Sequence, residues 1–203
     1  RKHEPAMKKR PVPASDLSIR AVYTLMTEVF QPRPIGWVGT TSAAGIHNIA
    51  PFSYFMPIGS APPTVAFSSA KDRNGKEKNT LDNILETGVF TLSMVTADLI
   101  EQMNASSATV PASVSEFDET SITPVQGMWV NAPYVGEAHV TSECRVLQTI
   151  PLGNTTLVIG EILGFHMSET WDAKDGVPAH VGRLSSTNYI LTSGEQVSLP
   201  RPE

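Results

Sequence analysis

Apolar and polar positions alternate along most of the chain in short runs, and these runs predict strands more often than helices. "IGWVGTT" (35–41) reads as a strand, "SAAG" as a turn, and "IHNIAPFSYF" (46–55) as the returning partner. Pro51 removes a ladder donor from that return. It implies an edge, a bulge or a break, where backbone groups become available to a ligand. "SAPPTVAFSS" (60–69) reads as a loop and a short buried strand, and "VFTLSMV" (89–95) as another. "EAHVTSECRVLQTI" and "TTLVIGEILGFHM" form two long strands across "PLGN", where Gly153-Asn154 suits a tight hairpin. The tail "VGRLSSTNYI" adds a last element.

A period near 3.6 surfaces in three places. "DLSIRAVYTLMTEVF" predicts a short helix capped by Asp16 or Ser18, with Leu17, Ala21 and Leu25 on one face. "NTLDNILETG" predicts a second, capped by Asn79 or Thr80 and ended by Gly88. "TADLIEQMNAS" predicts a third with Thr96 as cap. Residues 104–133 are irregular, with Val110, Phe117 and Trp129 as spaced apolar anchors, so they read as an ordered surface excursion. About six strands with short helices between them favour a β-barrel with helical decorations. Residues 1–15 read as a basic, proline-rich arm and residues 16–203 as one domain.

Composition narrows the partners. A formal charge of −5 argues against a general nucleic-acid surface, and no apolar run is long enough for a membrane-spanning helix. The single cysteine, Cys144, has no internal partner and lies in an alternating run, so it reads as a buried structural thiol. No signal core follows the basic amino terminus, which places the expectation in the cytoplasm and treats the sequons at Asn104 and Asn154 as chance matches.

Most enzyme signatures are missing. G-x-G-x-x-G, a P-loop, G-x-S-x-G and H-E-x-x-H do not occur, and one cysteine with five scattered histidines makes no metal set. No catalytic side chain and no metal are expected; any chemistry would be borrowed from an organic cofactor. "SSAKDRNGKEKNT" (68–80) is the exception. It gathers Lys71, Arg73, Lys76 and Lys78 against Asp72 and Glu77, has hydroxyls at both ends, and opens into a helix N-terminus. Cationic charge, hydroxyl donors and free backbone N–H groups are what a phosphate monoester requires. The competing reading is a solvated lysine loop. Asn48, Ser53 and backbone groups around Pro51 could present polar edges to a flat heteroaromatic ring, with Phe52 or Trp37 as apolar surface. Against this, each residue taken singly reads better as plain structure, Phe52, Tyr54 and Trp37 as core residues and Asn48 as a turn residue.

Taken together, "PRPIGWVGTTSAAGIHNIAPFSYF", "PPTVAFSS" and "KNTLDNILETGVFTLSMV" resemble the flavin reductase-like family of FMN-binding split barrels, which includes flavoredoxin-type proteins. The resemblance runs from about residue 20 to residue 191, through "MNASSATVPASVSEFD", "ECRVLQTIPLG", "LVIGEILGFHM" and "VGRLSSTNY". It implies a mainly β fold, a six-stranded Greek-key split barrel with short peripheral helices that forms a homodimer and holds FMN non-covalently. By position, Asn48, Ala50, Pro51, Phe52 and Ser53 would line the isoalloxazine. Ser68, Ser69, Arg73, Lys78, Asn79 and Thr80 would surround the phosphate, and His166 is a further candidate ring contact that reads equally as a structural histidine. Two departures stand out: Asn79 where relatives often carry Asp, and Leu184-Ser185 after Arg183 where many carry two glycines.

The resemblance implies an FMN-binding oxidoreductase, an NAD(P)H:flavin reductase with NADH or NADPH as co-substrate and an electron-acceptor protein or partner monooxygenase downstream. The alternative is a non-enzymatic flavin electron carrier fed by a protein partner. A ligand-free interaction module, with the cationic loop as plain surface, is the third reading.

Overall fold

The computed structural model describes residues 7–72, 74–170 and 178–194. Its centre is a seven-stranded antiparallel sheet. In chain order the elements are α1 (Ile19–Val29), β1 (Arg33–Pro34), β2 (Gly36–Thr41), β3 (His47–Phe52), β4 (Phe55–Ser60), β5 (Pro63–Ala70), α2 (Asn79–Thr87), β6 (Val89–Met94), α3 (Ile100–Ala105), α4 (Glu116–Thr120), β7 (Pro124–Gln126), β8 (Pro133–Val135), β9 (Val140–Leu152), β10 (Thr155–Met167), β11 (Val181–Arg183) and β12 (Tyr189–Leu191). The main sheet runs β3-β2-β6-β9-β10-β5-β4, with β1-β11-β12 and β7-β8 as small satellites. β3 curls back towards β5, giving a split barrel.

The count is seven where the pattern predicted about six, because "IHNIAPFSYF" is two strands. Chain direction changes after Phe52, and Phe55–Ser60 pairs with β5 instead of β2. β3 lies at the sheet edge with its ladder to β2 intact through Pro51. Ile49 sends its N–H outward, away from β2, to Glu116. Pro51 shares that parity, so its missing N–H costs no ladder bond.

Two cores account for the burial pattern. Val38, Phe52, Phe67, Phe90, Leu92 and Val158 fill the barrel, where Leu81 and Ile84 of α2 close over them. Trp37, Ile49, Val95, Met103, Phe117 and Val135 form a second layer beneath α3 and α4. β2 lies between the two and is buried at every position. Trp37 is fully enclosed and donates from Nε1 to Ser106 Oγ at 2.8 Å, so it offers no surface to a ligand. Cys144 is fully buried, and loss of hydration pushes its thiol up to about 12.

Two helix expectations need correction. Ser18 does cap α1, accepting from the Ala21 N–H at 3.2 Å, and Leu17 and Ala21 are half-buried as expected. Leu25, however, is exposed, and the cleft beside the helix is lined by Leu17, Ile19, Val22, Tyr23 and Met26. Spacings of three and four follow the 3.6 period, whereas a strict four drifts off the face. At α2 the capping position is Lys78, and neither Asn79 nor Thr80 caps with its side chain. Among the described residues no helix is long and apolar enough to cross a membrane.

Candidate functional site

The site is built where β3 passes the N-terminus of α2. Asn48 is the hinge of a buried polar network. Its Oδ1 accepts from Thr80 Oγ1 at 2.7 Å and from Thr40 Oγ1 at 3.2 Å, and Asn83 donates to Thr40 at 3.0 Å. Its Nδ2 donates to both carboxylate oxygens of Glu116 at 2.7 Å, and the Ile49 N–H reaches Glu116 Oε2 at 3.3 Å. One amide thus ties strand, α2 and α4 together, with every polar atom of the amide paired. Desolvation holds the Glu116 carboxyl above its usual range, although the hydrogen bonds from Asn48 and Ile49 and the charge of Lys78 pull the other way.

Glu116 is the functional residue that sequence reasoning missed. The signal was present as an acid immediately before the apolar anchor Phe117, inside a segment read as irregular. It is a helix α4 residue and 5 % exposed.

Lys78 stands at the junction of three hollows. It keeps much of its length in solvent, while its Nζ lies 5.1 Å from the centre of the Phe52 ring. Loss of hydration sets its ammonium below the usual lysine range, opposed by Glu116. On one side is a small hollow of about 90 Å³ with Asn48, Ala50, Lys76, Asn79 and Thr80. On another is a cleft of about 530 Å³ walled by Phe52 and by Val22, Tyr23 and Met26 of α1, with Pro51, Ser53, Ser68 and Asn154 on its rim. A third, of about 310 Å³, lies beyond Pro51 and Ser53 and is lined by Arg33 and Arg183.

Asn48, Ala50, Pro51, Phe52, Ser53, Ser68, Lys78, Asn79 and Thr80 are therefore brought together. Asn79 is tied down by its amide, which donates to the Val110 carbonyl at 3.4 Å. Two others are placed elsewhere. Ser69 is fully buried on the opposite face of β5 from Ser68, and its hydroxyl has no partner. Strand alternation forces this, since adjacent side chains point to opposite faces. His166 sits near the end of β10 and lines none of these hollows. Its Nε2 donates to Glu143 Oε1 at 2.5 Å, and its ring stacks on Tyr134 at 4.7 Å. Glu143 also accepts from the N–H groups of Met128, Trp129 and Val130. Burial alone would raise that carboxyl; these four donors hold it below the usual range. Arg73 lies outside the described residues.

The neighbouring loop is partly self-contained. Lys71 pairs with Glu77 at 3.3 Å, and Asp72 Oδ1 accepts from the N–H groups of Asn74 and Lys76. Among the described residues, Lys76, Lys78, the open N–H groups at the start of α2 and the Phe52 wall are left for a ligand. Cation, helix terminus, serine hydroxyls and a flat apolar surface fit a phosphorylated heteroaromatic molecule such as FMN. Among the described residues no three His, Cys, Asp or Glu side chains are placed to hold a metal ion.

Fold and cleft define a split barrel of the flavin-associated kind, and comparison with known proteins agrees. The chain belongs to the flavin reductase-like family: residues 30–179 match the flavin reductase like domain. It is 34 % identical over 203 residues to the Bacillus subtilis protein YwrF, covering 93 % of this chain and 97 % of that one. Nitrilotriacetate monooxygenase component B from Bacillus cereus superimposes with a TM-score of 0.89 at 27 % identity, over 96 % of this chain and 100 % of the other. Flavoredoxin of Desulfovibrio vulgaris gives a TM-score of 0.72 at 26 % identity, over 84 % and 91 % respectively.

Proposed function

We propose that this protein is an FMN-dependent oxidoreductase, an NAD(P)H:flavin reductase that delivers electrons to an acceptor protein or partner monooxygenase. The observation that carries the reading is the meeting of β3 and the α2 N-terminus around Lys78, with a cleft of about 530 Å³ opening beside them. The similarity to a monooxygenase component B supports a downstream partner of that kind. When bound, FMN would supply the hydride- and electron-transfer chemistry.

The chain's own part is binding and orientation. Lys78 and the first N–H groups of α2 would hold the phosphate, aided by the Ser68 hydroxyl and by Asn79 and Thr80. Phe52 offers the apolar wall, while Ala50, Pro51 and Ser53 would line the ring. Asn48 acts by holding strand and helix in register. Met26 and Tyr23 of α1 exclude water from the outer side. Ser69 and His166 have no place in this arrangement, because their side chains face the interior and Glu143 respectively.

Self-association belongs to the same proposal. Met56 and Ile58 on the edge strand β4 are 56 % and 49 % exposed, an apolar edge suited to a second copy of the chain. A cytoplasmic site of action is proposed with it.

Steady-state oxidation of NADH and NADPH by the FMN-loaded protein tests the reading. Turnover with either nucleotide is expected. An electron carrier is the second reading, favoured by the likeness to flavoredoxin. Absence of turnover with both nucleotides, together with a stably bound flavin, would decide for the carrier.

A further inference from the structure

The hollow beyond Pro51 and Ser53 has an unusual charge arrangement. Arg33, Lys78 and Arg183 all line it, and no carboxylate does among the described residues. None of the three cations forms an ion pair within that described set. Arg33 and Arg183 are also direct cross-strand partners in the β1–β11 ladder. Like charges facing each other across two antiparallel strands repel, and the repulsion must be met by neutral dipoles or by an anion.

Arg33 is met by dipoles. Its guanidinium donates to the carbonyls of Thr27, Phe30 and Leu184, each at 2.9 Å, and lies 3.5 Å from Ser53 Oγ. Four acceptors fix it in place and leave its charge uncompensated. Arg183 is held more loosely. It lies 4.4 Å from the centre of the Tyr189 ring and donates to the Tyr189 hydroxyl and the Ser186 carbonyl. Tyr189 in turn donates to Asn104 Oδ1 at 3.0 Å, which anchors the tail hairpin across the hollow. A rigid arginine behind a stacked one, with the Asn104 amide N–H group as a neutral donor beside them, is a cradle for a planar or tetrahedral oxyanion.

The hollow is continuous with the large cleft, since Tyr23, Pro51, Ser53 and Lys78 line both. We infer that it is an anion subsite for the second small molecule that shares the cleft with the flavin: Arg183, backed by Arg33, binds a carboxylate or phosphate carried by that molecule. This inference rests on the flavin reading of the adjoining cleft. A volume of about 310 Å³ has room for an anionic group and its immediate attachment, and the rest of the molecule would extend into the adjoining cleft. The anion belongs either to the phosphates of a nicotinamide dinucleotide or to a small aryl acid, and the two are separable by probe.

The test uses the FMN-loaded protein with NAD⁺, NADP⁺ and benzoate as non-reducing probes, read by flavin difference absorption and calorimetry. Arg183→Gln should weaken at least one probe tenfold or more and leave FMN affinity within twofold, with Arg183→Lys recovering part of the loss. A loss confined to benzoate assigns the subsite to a carboxylate; a loss with the dinucleotides assigns it to their phosphates. Three results overturn the inference: no probe binds the wild type, all bind Arg183→Gln as tightly, or FMN affinity falls in parallel. If the wild type takes up no flavin, the flavin reading fails by itself. Calorimetry on the flavin-free protein then decides the subsite, Arg183-dependent probe binding upholding it and its absence removing it.

Discussion

Two buried polar side chains with opposite bookkeeping give the sharpest residue-level predictions. Glu116 accepts from Asn48 and Ile49, so Glu116→Ala strands buried donors and should cost about 1–3 kcal/mol in urea unfolding. Because burial raises its pKa, folded Glu116 keeps its proton to higher pH than the unfolded chain does. Its contribution is full below the unfolded value of 4.5 and is lost as pH rises through the raised folded value. Glu116→Gln should erase that step from a stability–pH profile. Ser69 is the converse case. Its buried hydroxyl has no partner, so Ser69→Ala should be neutral or stabilising, and a lowered melting temperature would show that the hydroxyl has an acceptor in solution.

Lys78 adds a pH signature in binding. An ammonium held below its usual range gives up its proton early, so FMN affinity should decline as pH climbs through that depressed value. Riboflavin, without the phosphate, should show no such decline. Lys78→Arg, which stays charged, should flatten the FMN curve.

At the scale of elements, close packing between β2 and β8 leaves no room at Gly39. A Cβ there would lie 2.1 Å from the Pro133 carbonyl oxygen and 2.5 Å from Thr91 Oγ1. Gly39→Ala should therefore cost about 1–3 kcal/mol or more by chemical denaturation, through overpacking and not through turn geometry. Alternating burial made β10 legible in the sequence, after a turn with Gly153 at φ 65°, and β2, buried at every position, was legible from its β-favouring residues and bounding turn. β4 was not legible, because its burial does not alternate and its start is hidden in an apolar run. α4 was missed for its length of five residues, too short for a 3.6 period to declare itself. The site was readable as chemistry, since lysines before a helix and a polar strand edge carry their own signal. Its wiring was not: Asn48, Thr80 and Glu116 are 32 and 68 residues apart in the pairs they form, and no local pattern links them.

For the molecule as a whole, the apolar edge on β4 predicts a dimer. Sedimentation should give twice the chain mass, and Met56→Glu combined with Ile58→Glu should return it to the monomer. A monomeric wild type would remove that edge from the account. The central claim is narrower: the phosphate of FMN is held at Lys78, where the barrel edge meets a helix terminus. Charge-assisted contacts contribute about 1.5–3 kcal/mol, hence about tenfold or more in affinity. Parallel calorimetric titrations of FMN and riboflavin into wild type and Lys78→Ala test it most directly. The account predicts FMN binding to fall at least about tenfold in the variant while riboflavin binding hardly moves. Equal FMN affinity in the two proteins, or an equal loss for both ligands, would contradict it.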